Sequence, residues 1–248
     1  MKLWFILIFA LGADLTSRAQ DVPRLIAEAD RLDDRGETDS AILTLKEAEK
    51  ISPKNPDVLI RLSQDYSDKL DAAREGTQKV NYAKLSFEYA KAAVREAPNS
   101  PEAHNALAIA YGKMTDFVDN RTKIEYSKIV KSEAEKSLSL KSKNATALLI
   151  LARWNLDMAT LNPILKVFAQ ALYGQLPDAS KELALEYFRR AIAISPDRLI
   201  LHAEYAEALE TLGQKQQAKA EWQKVLELKP TEPLERDYQA IAARKVRS

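Results

Sequence analysis

The sequence predicts an all-α chain built as a solenoid of about five helical hairpins, the middle three with extended helices or insertions. Three observations carry this. Only 6 glycines and 10 prolines occur in 248 residues, too few turn formers for a strand-rich fold, while 46% hydrophobic and 29% charged residues suit amphipathic helices around a continuous core. Pro196 and Pro230 stand 34 residues apart, and Pro53 and Pro98 recur earlier in comparable settings. Ahead of these prolines, small and bulky residues repeat at fixed offsets.

The N-terminus reads as an export leader. Lys2 is a minimal positive start, Leu3 to Ala13 form an apolar run, and Ser17, Arg18 and Ala19 place small residues at a cleavage site. Removal of residues 1–19 is expected, which puts the mature chain in the periplasm or outside the cell. The run is shorter than the roughly 18 apolar residues that span a bilayer, and no membrane span is expected in the mature chain.

Residues 20–248 are expected to form the solenoid. In the closing hairpin, His202, Tyr205, Ala206 and Leu209 mark the first helix, Gly213 the turn, and Ala218, Trp222, Val225 and Pro230 the second. Ala184, Phe188, Ala191 and Pro196 repeat the second-helix spacing. Leu25, Ala29, Leu32, Gly36, Ala41, Leu45, Ala48 and Pro53 repeat the pattern near the start. Small residues allow close helix approach, bulky ones fill the layer, and proline ends the second helix. A 34-residue period of this kind is that of the tetratricopeptide repeat. Hairpins are expected at about 22–55, 56–100, 101–144, 145–198 and 199–232, with a C-terminal capping helix at 233–247.

The outer repeats carry no insertion, whereas the spans from Leu59 to Pro98, His104 to Ser142 and Leu148 to Pro196 are longer. Each insertion falls between the two helices of its hairpin, so all three are expected on one edge of the solenoid. The longest contains Ile164, Val167, Phe168, Ala171 and Leu172 at helical steps, opened by Pro163 and closed by Gly174 and Pro177. An extra helix over 162–173 is expected, folded over Trp154, which is assigned to a slot that ordinarily takes a small residue.

The segment with Arg153, Trp154, Ala159, Thr160, Leu161, Leu172, Tyr173, Gly174, Pro177, Ala179, Ser180, Glu186, Tyr187 and Phe188 resembles the regulator of microtubule dynamics family. So does the stretch from Tyr82 through Glu88, Tyr89 and Ala90 to Pro98 and His104. The resemblance covers roughly residues 57–230 and, with the leader, points to a bacterial-type exported member. It implies the repeat architecture. Animal relatives are associated with microtubules, mitochondria and organelle contacts, and the tubulin partner is not carried over to an exported chain.

Little in the chain points to catalysis. There is no cysteine, no HExxH, no glycine-rich phosphate loop and no G-x-S-x-G elbow. The two histidines, His104 and His202, share the bulky slot of a first helix and read as packing residues, as do Tyr66 and Tyr111. No enzyme activity, cofactor or metal is expected. With 37 basic and 36 acidic residues, no net field favours nucleic acid.

The expected function is that of a protein-binding scaffold whose first helices line a concave groove for a peptide or protein segment. The alternative is a permanent structural subunit of an envelope or secretion assembly. Counting along the repeats places Asp57, Ile60, Gln64, Asn105, Ile109, Leu149 and Arg153 in the groove. Arg153 could offer a forked donor to a carboxylate, or pair with Asp157 one turn on.

Overall fold

The computed structural model describes residues 7–74, 76–173, 179–231 and 233–247; for residues 7–20 and for Ile164, Leu165, Phe168, Leu172, Tyr173, Pro233 and Leu234 it describes the backbone alone. Twelve α-helices follow one another among the described residues: α1 (Leu7–Asp34), α2 (Thr38–Ile51), α3 (Pro56–Ala72), α4 (Gly76–Glu96), α5 (Pro101–Met114), α6 (Asn120–Leu140), α7 (Ala145–Ala159), α8 (Pro163–Tyr173), α9 (Lys181–Ile194), α10 (Leu199–Thr211), α11 (Lys215–Glu227) and α12 (Pro233–Lys245). A 3-10 turn at Thr115–Phe117 follows α5.

Local chemistry sets the boundaries. Asn55 caps α3 through its side-chain oxygen, which accepts from the N–H groups of Asp57 and Val58, with Pro56 at the first helical position. Ser100 and Pro101 do the same for α5, Asn144 caps α7, and Ser180 caps α9. The turns at Gly36 and Gly213 adopt φ of +77° and +76°. In each, the next residue's N–H reaches back to close the helix, Glu37 to the Leu32 carbonyl and Gln214 to that of Leu209.

Helices α1 and α2, α3 and α4, α5 and α6, α7 and α9, and α10 and α11 pack as hairpins. Close approach uses two kinds of small residue. Ala206 and Ala218 are wholly buried in the last hairpin. In the second, Ser63 and Ser86 exchange hydrogen bonds, each Oγ–H donating to the other's backbone carbonyl at 2.9 and 2.8 Å. Behind these contacts the core runs from layer to layer as successive clusters, from Val22, Leu45 and Leu62 to Leu199, Trp222 and Val225, bridged by half-buried aromatics such as Tyr89, Tyr111 and Tyr187.

The direction of curvature follows from which helices touch across repeats. Helices α3, α5 and α7 each pack on the next first helix in line, and α10 packs on the capping helix α12. Asp30 of α1 meets Arg61 of α3. Among the described residues no two consecutive second helices pack to that extent, so the first helices lie on the inside of the curve. Helix α12 runs alongside α10, with Glu235 accepting from the Ile200 N–H near one end and Lys245 pairing with Glu210 near the other. It also touches α3.

The insertions lengthen α3, α4 and α6, and the longest forms α8. The cover of Trp154 differs from expectation. Its indole packs on Val130 and Ala134 of α6, and Nε1–H donates to the Ser127 carbonyl and hydroxyl, both at 2.9 Å. Helix α8 packs on α6, with Ala169 buried while Val167 and Ala171 face solvent. The side chains of Ile164, Phe168 and Leu172, and the expected stops at Gly174 and Pro177, lie outside what is described. The small-residue slot belongs to Ala152, fully buried against Phe188 and Tyr205. Trp154, two residues on, faces the preceding repeat, where α6 receives it.

Candidate functional site

Of the expected groove positions, Asp57 and Gln64 are exposed on α3, and Ile109 on α5 and Leu149 on α7 are half-buried. Ile60 and Asn105 do not present a surface. Ile60 is 5% exposed among Ala90, Ala103, Ala106 and Leu107, because α5 covers that position of the repeat before it. Asn105 is buried and donates to Asn144 Oδ1 at 3.2 Å, the oxygen that caps α7, and thereby joins one repeat to the next.

Arg153 has a different partner from the one expected. Its guanidinium lies 2.5 Å from Glu204 Oε1 on α10, across the repeat boundary, and its side chain stays 57% exposed. Tyr238 of α12 donates its hydroxyl to the same oxygen at 3.1 Å. The forked donor is therefore already engaged. Asp157 of α7 and Glu207 of α10 flank this group, reached by solvent but walled by three helices. Burial raises both carboxyls above their ordinary range, Arg153 only partly counteracts it, and the Glu204 charge adds to it. Arg153 thus answers three carboxylates, helped at Glu207 by the Lys245 charge.

The N-terminal end of the same face is also acidic. Arg61 forks onto Asp30, with Nε at 2.6 Å and Nη2 at 3.0 Å from its two oxygens. Beside them Asp33 and Asp65 share a hydrogen bond, and burial is the largest cause that raises both carboxyls, with mutual repulsion adding at Asp65. Asp33 Oδ1 and Asp65 Oδ2 find no other partner. One proton held between the two carboxyls accounts for this arrangement.

The two histidines are joints as well as packing. His104 Nδ1 lies 2.5 Å from Glu133 Oε2 and Nε2 lies 2.9 Å from the Pro98 carbonyl. His202 repeats this with Glu221 at 2.7 Å and the Pro196 carbonyl at 2.9 Å. Both ring nitrogens of His202 face acceptors, which suits the imidazolium form. Burial pulls His202 down, but the bonds to Glu221 and the Pro196 carbonyl outweigh it and hold its pKa above the usual value.

Sequence reasoning missed Glu204, Tyr238 and the aspartate pair. A signal for Glu204 existed, since it is the lone acid in the mostly apolar stretch from Leu199 to Ala206, all of it buried. No local pattern marked Asp65, whose partner lies on another hairpin.

Solved structures place this architecture. A thermophilic TPR protein of Thermus thermophilus superposes with a TM-score of 0.66 at 18% identity, covering 92% of this chain and all of that one. Pseudomonas aeruginosa pilF gives 0.53 at 14% identity, covering 93% and 87%. At such identities the likeness shows the fold alone, a tetratricopeptide-like solenoid of helical hairpins. Among curated relatives, Xenopus laevis regulator of microtubule dynamics protein 3 is 30% identical over 138 residues, 56% of this chain and 30% of that one. Bos taurus regulator of microtubule dynamics protein 1 is 28% identical over 180 residues, 71% and 56%. The chain spans less than two thirds of the length of either relative. The family model for regulator of microtubule dynamics protein 1-3 matches residues 25–248, and on that extent of match the chain belongs to this family.

Proposed function

We propose that the chain is a non-catalytic scaffold that holds a protein segment bearing lysine or arginine against the concave face of its first helices. The supporting observation is the charge deficit around Arg153. Asp157, Glu204 and Glu207 surround one guanidinium, and two of these carboxyls are raised in pKa. A partner's cation entering there would relieve repulsion that water only partly screens. Tetratricopeptide-like folds commonly present such faces to protein partners, and the fold and family are typically non-catalytic.

A photo-crosslinking residue placed at Gln64 on the concave side, and separately at Leu43 on the outer side, tests this reading. Crosslinks from Gln64 that vanish in Asp157→Lys/Glu207→Lys support it. Crosslinks from Leu43 alone would favour the rival, a permanent subunit of an envelope or secretion assembly. That rival has less support, since the exposed large apolar side chains Leu43, Leu85, Val167 and Leu226 are dispersed over four helices.

Export is part of the proposal. Among the described residues no helix is long and apolar enough to cross a membrane, and the reading rests on Lys2, the apolar run Leu3 to Ala13 and the small residues before Gln20. N-terminal sequencing of the folded product is expected to begin near Gln20, and an intact Met1 would overturn this. Relatives named for microtubule dynamics make co-sedimentation of residues 20–248 with microtubules a direct check, and binding there would replace the exported reading.

A further inference from the structure

The first insertion builds a cleft that an ordinary repeat lacks. Helix α10, without an insertion, has 13 residues, whereas α3 runs for 17 before α4 turns back along it. Where the added turn of α3 meets the start of α4, Lys69, Ala72, Ala73, Arg74, Gln78 and Tyr82 line a cleft of about 370 Å³. This lies at the low end of the roughly 300–1,000 Å³ of small-ligand sites and is the size for one side chain and its neighbours.

Its chemistry is cationic with an aromatic wall. Lys69 Nζ stands 5.6 Å from the centroid of the Tyr82 ring. Among the described residues its ion pair is to Asp39 at 2.7 Å, and that carboxylate is 80% exposed and well screened by water. Arg74 is exposed and forms no ion pair among the described residues. Tyr82 is held in place by stacking on Tyr66 at 6.3 Å. Gln78 is the third residue of α4, so the positive end of a 21-residue helix forms the remaining wall. A Cβ added at Gly76 would meet nothing within 4 Å, which leaves that wall open to an incoming group. From Lys69 to Lys84 four cations stand against two acids, in a chain whose charges otherwise nearly balance.

We propose that this cleft binds a glutamate or aspartate side chain of a protein partner, at a site separate from the concave face. The Arg74 fork takes the carboxylate in two parallel hydrogen bonds and Lys69 adds a second charge. The Gln78 amide donates from the side, and the alkyl stem lies on Ala72, Ala73 and the Tyr82 ring. A basic cleft on the insertion edge and an acidic concave face would together select partners by the order of their charges.

The test is an amide and arginine side-chain NMR titration of the full chain with an acetylated, amidated tetraglutamate peptide at constant ionic strength. Arms with inorganic phosphate and with tetralysine run beside it. Saturable shifts are expected at Arg74 Nε–H and at the backbone N–H groups of Thr77 and Gln78. Arg74→Ala and Lys69→Met should each weaken binding about tenfold, the loss of a charge-assisted contact. Both sites lie outside the core, so an unchanged melting curve confirms that the variants are folded. Asp157→Asn/Glu207→Gln, which removes charge from the concave face without creating a cationic cluster there, should leave the shifts at Thr77 and Gln78 unchanged, which separates this site from the concave face. Shifts that persist in the Arg74→Ala/Lys69→Met double variant, or phosphate binding without tetraglutamate binding, would overturn the proposal.

Discussion

Asp65 on α3 and Glu204 on α10 are carboxylates at the two ends of one concave face, 3% and 6% exposed, and they are neutralised by different means. Asp65 shares a proton with Asp33 from the preceding repeat. Glu204 receives a guanidinium from Arg153 and a hydroxyl from Tyr238. A proton leaves when the pH rises, whereas a guanidinium stays charged throughout the accessible range. The lesson is that one solenoid face neutralises a buried carboxylate with a titratable proton at its N-terminal end and with a permanent cation at the other.

The largest expected effect breaks the second half of that contrast. Arg153→Ala strands Glu204 with the Tyr238 hydroxyl alone, and breaking a buried pair costs about 3–5 kcal/mol. Because the guanidinium is half-exposed, we expect roughly 2–3 kcal/mol in urea unfolding at pH 7. A loss below about 0.5 kcal/mol would mean that Arg153 does not neutralise Glu204, and the contrast would collapse.

His202 offers an intermediate case, because the cation that answers Glu221 itself titrates. Its folded pKa is raised, so its stabilisation is complete below the ordinary histidine value of about 6.5 and is lost as the pH climbs through the higher folded value. His202→Ala is expected to cost about 1–2 kcal/mol at pH 5.5 and measurably less at pH 8.5. An equal cost at both values would show that the ring acts by packing alone.

The two glycine turns compare the ends of the solenoid without charge. Gly36→Ala and Gly213→Ala impose the same positive φ on a side chain, at about 1 kcal/mol each. A Cβ at Gly36 would also meet the Arg236 guanidinium of α12 at 3.1 Å, while at Gly213 the space is open. Gly36→Ala should be the costlier by a few tenths of a kcal/mol, since the tip of Arg236 can move. Equal melting temperatures would argue that α12 does not rest on the first turn in solution.

The smallest effect at low pH, and the sharpest in its pH dependence, belongs to Asp65→Asn. An amide replaces the shared proton, so stability near pH 4, where the wild-type carboxyl is protonated, should change by less than about 1 kcal/mol. The folded pKa of Asp65 lies above its unfolded value. The stability it contributes is present at low pH and is lost as the pH rises through the folded value, pushed up to about 9. The variant should therefore become increasingly the more stable of the two as the pH rises from about 4 to about 9, as read from thermal melts. Parallel curves would remove the proton-sharing account.

Much of this molecule could be read locally. Prolines, N-caps and the two positive-φ glycines act within a few residues of themselves, so the hairpin turns and the extra helix from Pro163 were visible in order along the chain. The misreading of Trp154 came from register. Alanine at 152 and tryptophan at 154 differ by two positions, about 200° around a helix, and the insertion obscured which of them faced α9. The concave face was less legible. Exposure at Asp57 and Gln64 follows from counting along a helix, but burial at Ile60 and Asn105 depends on how closely the next first helix approaches.

The amino-acid sequence alone determined the all-helical hairpin solenoid, its family and the edge on which its insertions fall, because period, capping and helix propensity are properties of contiguous residues. Tertiary structure decided which charges meet. Arg153 and Glu204 lie 51 residues apart and His202 and Glu221 lie 19 apart. Asp33 meets Asp65 only because α1 and α3 sit side by side. Helical periodicity says which face a residue occupies, while the identity of its neighbour depends on the angle between repeats, which the packing of all the layers sets together.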